Sequence, residues 1–216
     1  MSGAENPFEP IYESVYRELY ERIIYLKYEP GHKLIESKLA EEMGISRSPV
    51  KLALERLEAA HLVTKDFGKS PCVMPIAYED CLSLIEIRKG IESIAAFYAA
   101  KRITSAELSE LKAILMNFRI TDTVPTPEFF AKNDAQFHRI IIRASGNPYL
   151  MDAYSRIEGN MLRYRLHIMR KLDLRALREY ENHIALYTAL KDHSPVLARE
   201  EMMAAIDNMY EALRNL

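Results

Sequence analysis

The chain has 216 residues, enough for one large domain or two small ones, and 49% of them are hydrophobic, too many for a disordered chain. With 28% charged residues and a formal net charge of -2, no global field attracts nucleic acid, so any such affinity must come from a local patch. No apolar run approaches the roughly 20 residues of a membrane span, no basic-then-apolar leader opens the chain, and two cysteines are too few for a disulfide framework, so a cytoplasmic setting with reduced thiols is expected.

Val15, Leu19, Ile23 and Leu26 recur at helical spacing and predict a first helix over 11–26, broken by Pro30-Gly31. A second helix is predicted from about Glu36 to Met43, with Leu39, Ala40 and Met43 facing inward. Gly44 can adopt the positive φ of a tight interhelical turn. Ser46 is placed to cap a third helix, and Pro49 is tolerable in its first turn. Val50, Ala53, Leu54 and Leu57 form the buried stripe of that helix. A hairpin follows: a strand near Leu62 to Lys65, a tip at Phe67 to Pro71, and a return strand at Cys72 to Met74.

Helix, glycine turn, capped helix and hairpin in this order make the pattern of a winged helix-turn-helix, whose second helix enters the major groove of DNA. Arg47, Ser48, Lys51 and Glu55 lie opposite the apolar stripe. Arg and Lys there can reach guanine edges, while Ser46, Ser48 and the helix N-terminus suit phosphate. Arg56, Gly68 and Lys69 are expected to add backbone contacts, and Leu52 sits near the outer side, either against a thymine methyl or simply exposed.

These residues resemble the GntR family of bacterial transcriptional regulators. Its pattern, roughly G-x-x-L-x-E-x-x-L-A-x-x-L/M-G-V/I-S-R-x-P-V-R-x-A-L-x-x-L, is met by Gly31, Leu34, Glu36, Leu39, Ala40, Met43, Gly44, Ile45, Ser46, Arg47, Pro49, Val50, Ala53, Leu54 and Leu57. The chain departs from it at Lys51 (usually Arg), Leu52 (often acidic) and Ser70 (usually Gly). Lysine lacks the forked guanidinium contact to guanine, so the family's operators do not transfer to this chain.

Beyond Pro75 the composition changes, and six helices are predicted at about 78–102, 104–119, 126–144, 147–171, 173–192 and 195–214. Thr104 or Ser105, Thr126-Pro127, Asn147 and Ser194-Pro195 mark their starts. The expected fold is therefore mainly α: a winged helix-turn-helix with a small β-wing over 8–75, then an all-α antiparallel helical bundle over 79–216.

In that bundle, Asp134 and His138 project together from the stripe Phe130, Phe137, Ile141, and His183 lies on a second stripe with Tyr180, Tyr187 and Leu190. An i, i+4 Asp and His pair can ligate one ion, although these three groups could equally form a hydrogen-bond network around water. Arg88 lies on the Leu84, Ile91, Ala95 stripe and needs an anion, either Glu92 or a bound carboxylate.

Residues 85–100, 133–141 and 144–150 resemble the ligand-binding bundle of the FadR-type, or FCD, branch of the same family. That resemblance implies a homodimeric DNA-binding regulator rather than an enzyme. It implies an effector site, for a small carboxylate, at Arg88, Asp134, His138 and His183. It also implies a divalent metal (Zn, Ni or Mn) held by Asp134, His138 and His183, with the family's fourth ligand falling at Ala205, which has no donor atom. The alternative is a helical metalloenzyme using the same three residues around an open coordination position.

Overall fold

The computed structural model describes residues 10–66, 68–118, 126–171 and 179–214. The chain divides into two compact units, Met1–Ile76 and Ala77–Leu216.

In the first unit, α1 (Ile11–Ile24) packs on α3 (Arg47–Ala59), and α2 (Glu36–Met43) packs beside α3. Val15, Leu19 and Ile23 of α1 and Val50, Ala53, Leu54 and Leu57 of α3 are all buried, so the two apolar stripes meet. α1 stops two residues before the periodicity predicts. Leu26 is buried but has φ 54, and the Lys27 N–H bonds back to the Arg22 carbonyl at 2.8 Å, a hydrogen bond that closes the helix end. Burial periodicity continued past the point where the backbone had left the helix.

Gly44 terminates α2 in the left-handed conformation (φ 65), and its N–H bonds the Glu41 carbonyl. Ser46 stands at the N-cap of α3 with extended backbone, but its side chain makes no capping hydrogen bond. The wing consists of β1 (Val63–Thr64) and β2 (Cys72–Val73), antiparallel with Val63 opposite Val73. The predicted tip residue Phe67 lies outside the described residues. The segment after Pro30 also joins the wing: Lys33 bridges Cys72, the Gly31 N–H bonds the Val73 carbonyl, and the Leu34 N–H bonds the Pro71 carbonyl. Gly31 (φ 81) turns the chain into this pairing rather than merely ending α1.

The second unit contains α4 (Tyr78–Arg102), α5 (Ser105–Asn117), α6 (Pro127–Ala144), α7 (Pro148–Met169), α8 (Glu179–Lys191) and α9 (Pro195–Arg214). The end predicted for α5 and the start predicted for α8 fall on 119 and 173–178, outside the described residues. α4 packs against α6, α7, α8 and α9, and its small buried face (Ala95, Ala96, Ala99, Ala100) allows those helices to approach. Thr104 and Glu107 form a reciprocal capping box, Thr126 caps α6 ahead of Pro127, and Asn147 Oδ1 accepts from the Tyr149 and Leu150 N–H groups. Arg102 at the end of α4 donates to the Ser145 carbonyl, tying α4 to the turn that follows α6.

Gly44 has open space where a Cβ would stand, so its substitution tests backbone conformation alone. Gly44→Ala is expected to destabilise the first unit by about 1–2 kcal/mol, read as a lowered urea midpoint for its unfolding.

Candidate functional site

The α3 stripe of buried residues leaves Arg47, Ser48, Lys51, Leu52 and Glu55 exposed on the opposite face. Lys51 Nζ lies 3.8 Å from Glu55 Oε1 with both side chains largely in solvent, a pairing too weak to withdraw either from a partner. Ser46 is exposed at the head of the helix with its hydroxyl not spent on capping. At the wing, Gly68 has φ 73 and the exposed Lys69 Nζ is 2.9 Å from Asp66, again a cheap surface pair.

Arg56 differs from the rest of the set. Its guanidinium donates to Glu13 at 2.5 Å and stacks 4.1 Å over the Tyr16 ring, both on α1. Glu13 holds it charged and raises its pKa, so Arg56 serves the α1–α3 contact. The Arg56 side chain is still 48% exposed, and a phosphate contact by it, expected from the sequence, would compete with this pairing.

The second cluster is buried in the helical unit. Asp134 and His138 (α6) and His183 (α8) are each about 1% exposed, and their potential ligand atoms all lie within 4.8 Å of one another. The Asp134 carboxylate is divided between two kinds of neighbour. Oδ1 lies 3.1 Å from His183 Nε2 and 3.5 Å from His138 Nε2. Oδ2 contacts the Arg165 guanidinium from α7 and lies 4.0 Å from Arg88 of α4.

Glu92 of α4 completes the arrangement. Its Oε1 accepts from Arg88 Nε at 2.5 Å, and its Oε2 lies 2.5 Å from His138 Nδ1. Burial alone would raise the Glu92 pKa, but the charges of Arg88 and His138 outweigh it and hold the carboxyl at about 2. With Nδ1 of His138 turned to Glu92, Nε2 is the nitrogen that faces Asp134, the orientation a carboxylate behind an imidazole imposes on a metal-binding histidine.

Ligand atoms bound to one ion at about 2.0–2.2 Å stand roughly 3–3.5 Å apart, and the two separations from Asp134 Oδ1 fall in that range. Asp134 Oδ1 is buried without a directed hydrogen bond among the described residues, so a cation or water there would satisfy it. The donor set thus fits a divalent ion with three protein ligands. Ala205 is buried and offers no donor, as expected from its side chain. His193 has its Nδ1 2.8 Å from the Ala100 carbonyl.

The sequence reading named Arg88, Asp134, His138 and His183, and the fold brings all four together. Of the two partners left open for Arg88, the structure supplies Glu92. It missed the role of Glu92 beside His138, and it missed Arg165. Glu92 was detectable as a buried acid one turn from Arg88, whereas nothing in the local pattern around Arg165 marked it.

Residues 11–72 match the family model of bacterial regulatory proteins, gntR family, and residues 83–208 match the FCD domain. The transcriptional regulator LutR of Bacillus subtilis is 28% identical, over 85% of this chain and 92% of its own length. The transcriptional repressor RspR of Escherichia coli is 23% identical, over 98% of this chain and 92% of its own. Among solved structures, McbR/YncC of E. coli has a TM-score of 0.77 at 19% identity, covering 96% of this chain and 99% of that one. That structural likeness concerns the fold.

Glu92→Gln keeps the shape of the side chain and removes its charge. It is expected to weaken Zn²⁺ binding about 10- to 100-fold by calorimetric titration of metal-stripped protein. Because Glu92 lies below its ordinary 4.5, its contribution to stability is complete above that pH and lost as pH falls towards 2. The variant should therefore show a flatter loss of stability across that window.

Proposed function

The chain belongs to the gntR family of bacterial regulatory proteins and carries the FCD domain, and on that premise we propose that it reads a near-palindromic operator as a homodimer whose DNA affinity is set by a small carboxylate. It is a DNA-binding transcriptional regulator; the operator geometry, the dimer and the class of effector are the proposal. The carrying observation is the exposed face of α3, where Arg47, Ser48, Lys51 and Glu55 oppose a fully buried stripe. In this reading Arg47 and Lys51 reach base edges, while Ser46, Ser48, Gly68 and Lys69 fix the backbone register. Two such helices would engage half-sites about one helical turn apart.

An exposed apolar stripe on α4 supports the homodimer. Ile87, Ile94 and Tyr98 are 50%, 43% and 37% exposed, share one face, and flank Gly90, where open space permits close approach. A second copy laid along this stripe would cover it in a two-fold interface.

The buried cluster supports the effector class. Asp134, His138 and His183 would hold a divalent ion such as Zn, Ni or Mn, with Ala205 leaving a position for an oxygen of the effector or water. The ion would supply a positive charge for a carboxylate. Arg88 and Arg165 add fixed cations beside it, and the apolar stripes of α6 and α8 exclude bulk water. Differential binding to two arrangements of the protein then shifts operator affinity. The metalloenzyme alternative is less well supported: Glu92 is committed to Arg88 and His138, so it is poorly placed as a general base for bound water.

Arg47→Ala is expected to cost about 1–3 kcal/mol of specific binding, measured against a selected duplex and a scrambled one at fixed salt. An equal loss on both would make Arg47 a phosphate contact, and weak binding indifferent to sequence by the unaltered chain would reject operator reading. Ile94→Glu is expected to turn the dimer into a monomer in sedimentation experiments, since it puts a charge into the apolar interface. A parent chain that sediments as a monomer would reject the homodimer.

A further inference from the structure

Leu52 is half exposed (50%) although it is a large apolar side chain in the middle of the outward surface of α3. Isolated exposed leucines are common on protein surfaces, and position is what sets this one apart. Successive helical residues turn by about 100°, which places Ser48, Leu52 and Glu55 near the line opposite the buried stripe of Val50, Ala53, Leu54 and Leu57. Lys51 and Arg56 flank that line on either side, and Arg47 lies further round at the head of the helix. Leu52 is thus the apolar centre of a surface otherwise made of charged and hydroxyl groups. One turn further along, Arg56 turns onto Glu13 and Tyr16 of α1, while Leu52 stays half exposed.

A helix seated in the major groove meets one apolar feature on the base edges, the 5-methyl group of thymine. We infer that Leu52 is a specificity-determining residue that reads this methyl group, so that each half-site carries a thymine beside the base pair met by Lys51. The chemistry matches on both sides. Removing the leucine surface and the methyl group from water together stabilises the correct sequence, whereas cytosine at that position presents an amino donor that Leu52 cannot satisfy. This inference rests on the operator-reading proposal above.

The test uses the full-length chain and a duplex enriched from a randomised DNA pool. Each thymine of that duplex is replaced singly by deoxyuridine, which keeps base pairing and removes only the methyl group, and affinity is read by fluorescence anisotropy at fixed salt. One thymine in each half-site should lose about four-fold in affinity on replacement, the value of one buried methyl group. Leu52→Ala should abolish that sensitivity at the same position while the chain keeps its circular dichroism spectrum. A Leu52→Ala chain that still distinguishes thymine from uracil there overturns the inference, as does an unaltered chain indifferent to every replacement. Those results leave operator reading intact. Failure to enrich any sequence removes the operator-reading proposal and this inference with it.

Discussion

The Asp134 carboxylate is the constraint on which the helical unit depends. A carboxylate removed from water costs several kcal/mol unless compensating charge surrounds it. This one meets guanidinium charge from two other helices, Arg165 of α7 and Arg88 of α4, and the polar imidazoles of His183 from α8 and His138 from its own helix. Its two oxygens face opposite chemistries, imidazole on one side and guanidinium on the other. In the reading proposed above, that division is what would let the site take a cation at Oδ1 and an anionic ligand beside the guanidinium groups, neither having to compensate the whole buried charge.

Glu92 extends the same logic outward. Between Arg88 and His138 it keeps its own charge at a buried position and fixes which imidazole nitrogen faces Asp134. α4 brings Glu92 and Arg88 into this cluster, and the buried alanines that follow Glu92 on the same helix let its neighbours lie close. Packing and the buried charge cluster are therefore joined on one helix, which also carries the exposed stripe proposed for the homodimer.

The DNA-reading unit depends on a different balance. Four buried residues on α3 anchor it to its own unit and leave the rest of its surface free, so specificity can change without cost to the fold. Arg56 marks the limit of that freedom. It shares the outer half of the helix, yet Glu13 and Tyr16 claim its guanidinium. Lys51, Leu52 and Ser70, the places where this chain departs from the gntR pattern, lie outside the buried stripe, where substitution alters recognition more readily than stability.

Much of the local periodicity and local backbone chemistry was legible in the residues, though not the early end of α1 or the uncapped hydroxyl of Ser46. The spacing of Val50, Ala53, Leu54 and Leu57, the positive φ at Gly44, and the Thr104, Thr126 and Asn147 caps follow from interactions within a few residues of one another. Periodicity also showed that Asp134, His138, His183 and Arg88 face inward, because one helical turn decides a side chain's face. It could not show what they would meet. The pairing of residues 31–34 with the wing, the turn of Arg56 onto α1, and the meeting of Glu92 and Arg165 with the Asp/His/His cluster join segments far apart in the chain. Those contacts depend on how whole helices and strands pack, and a hydrophobic stripe specifies only that a surface is covered. Which charged group arrives across the interface was decided by the tertiary structure alone.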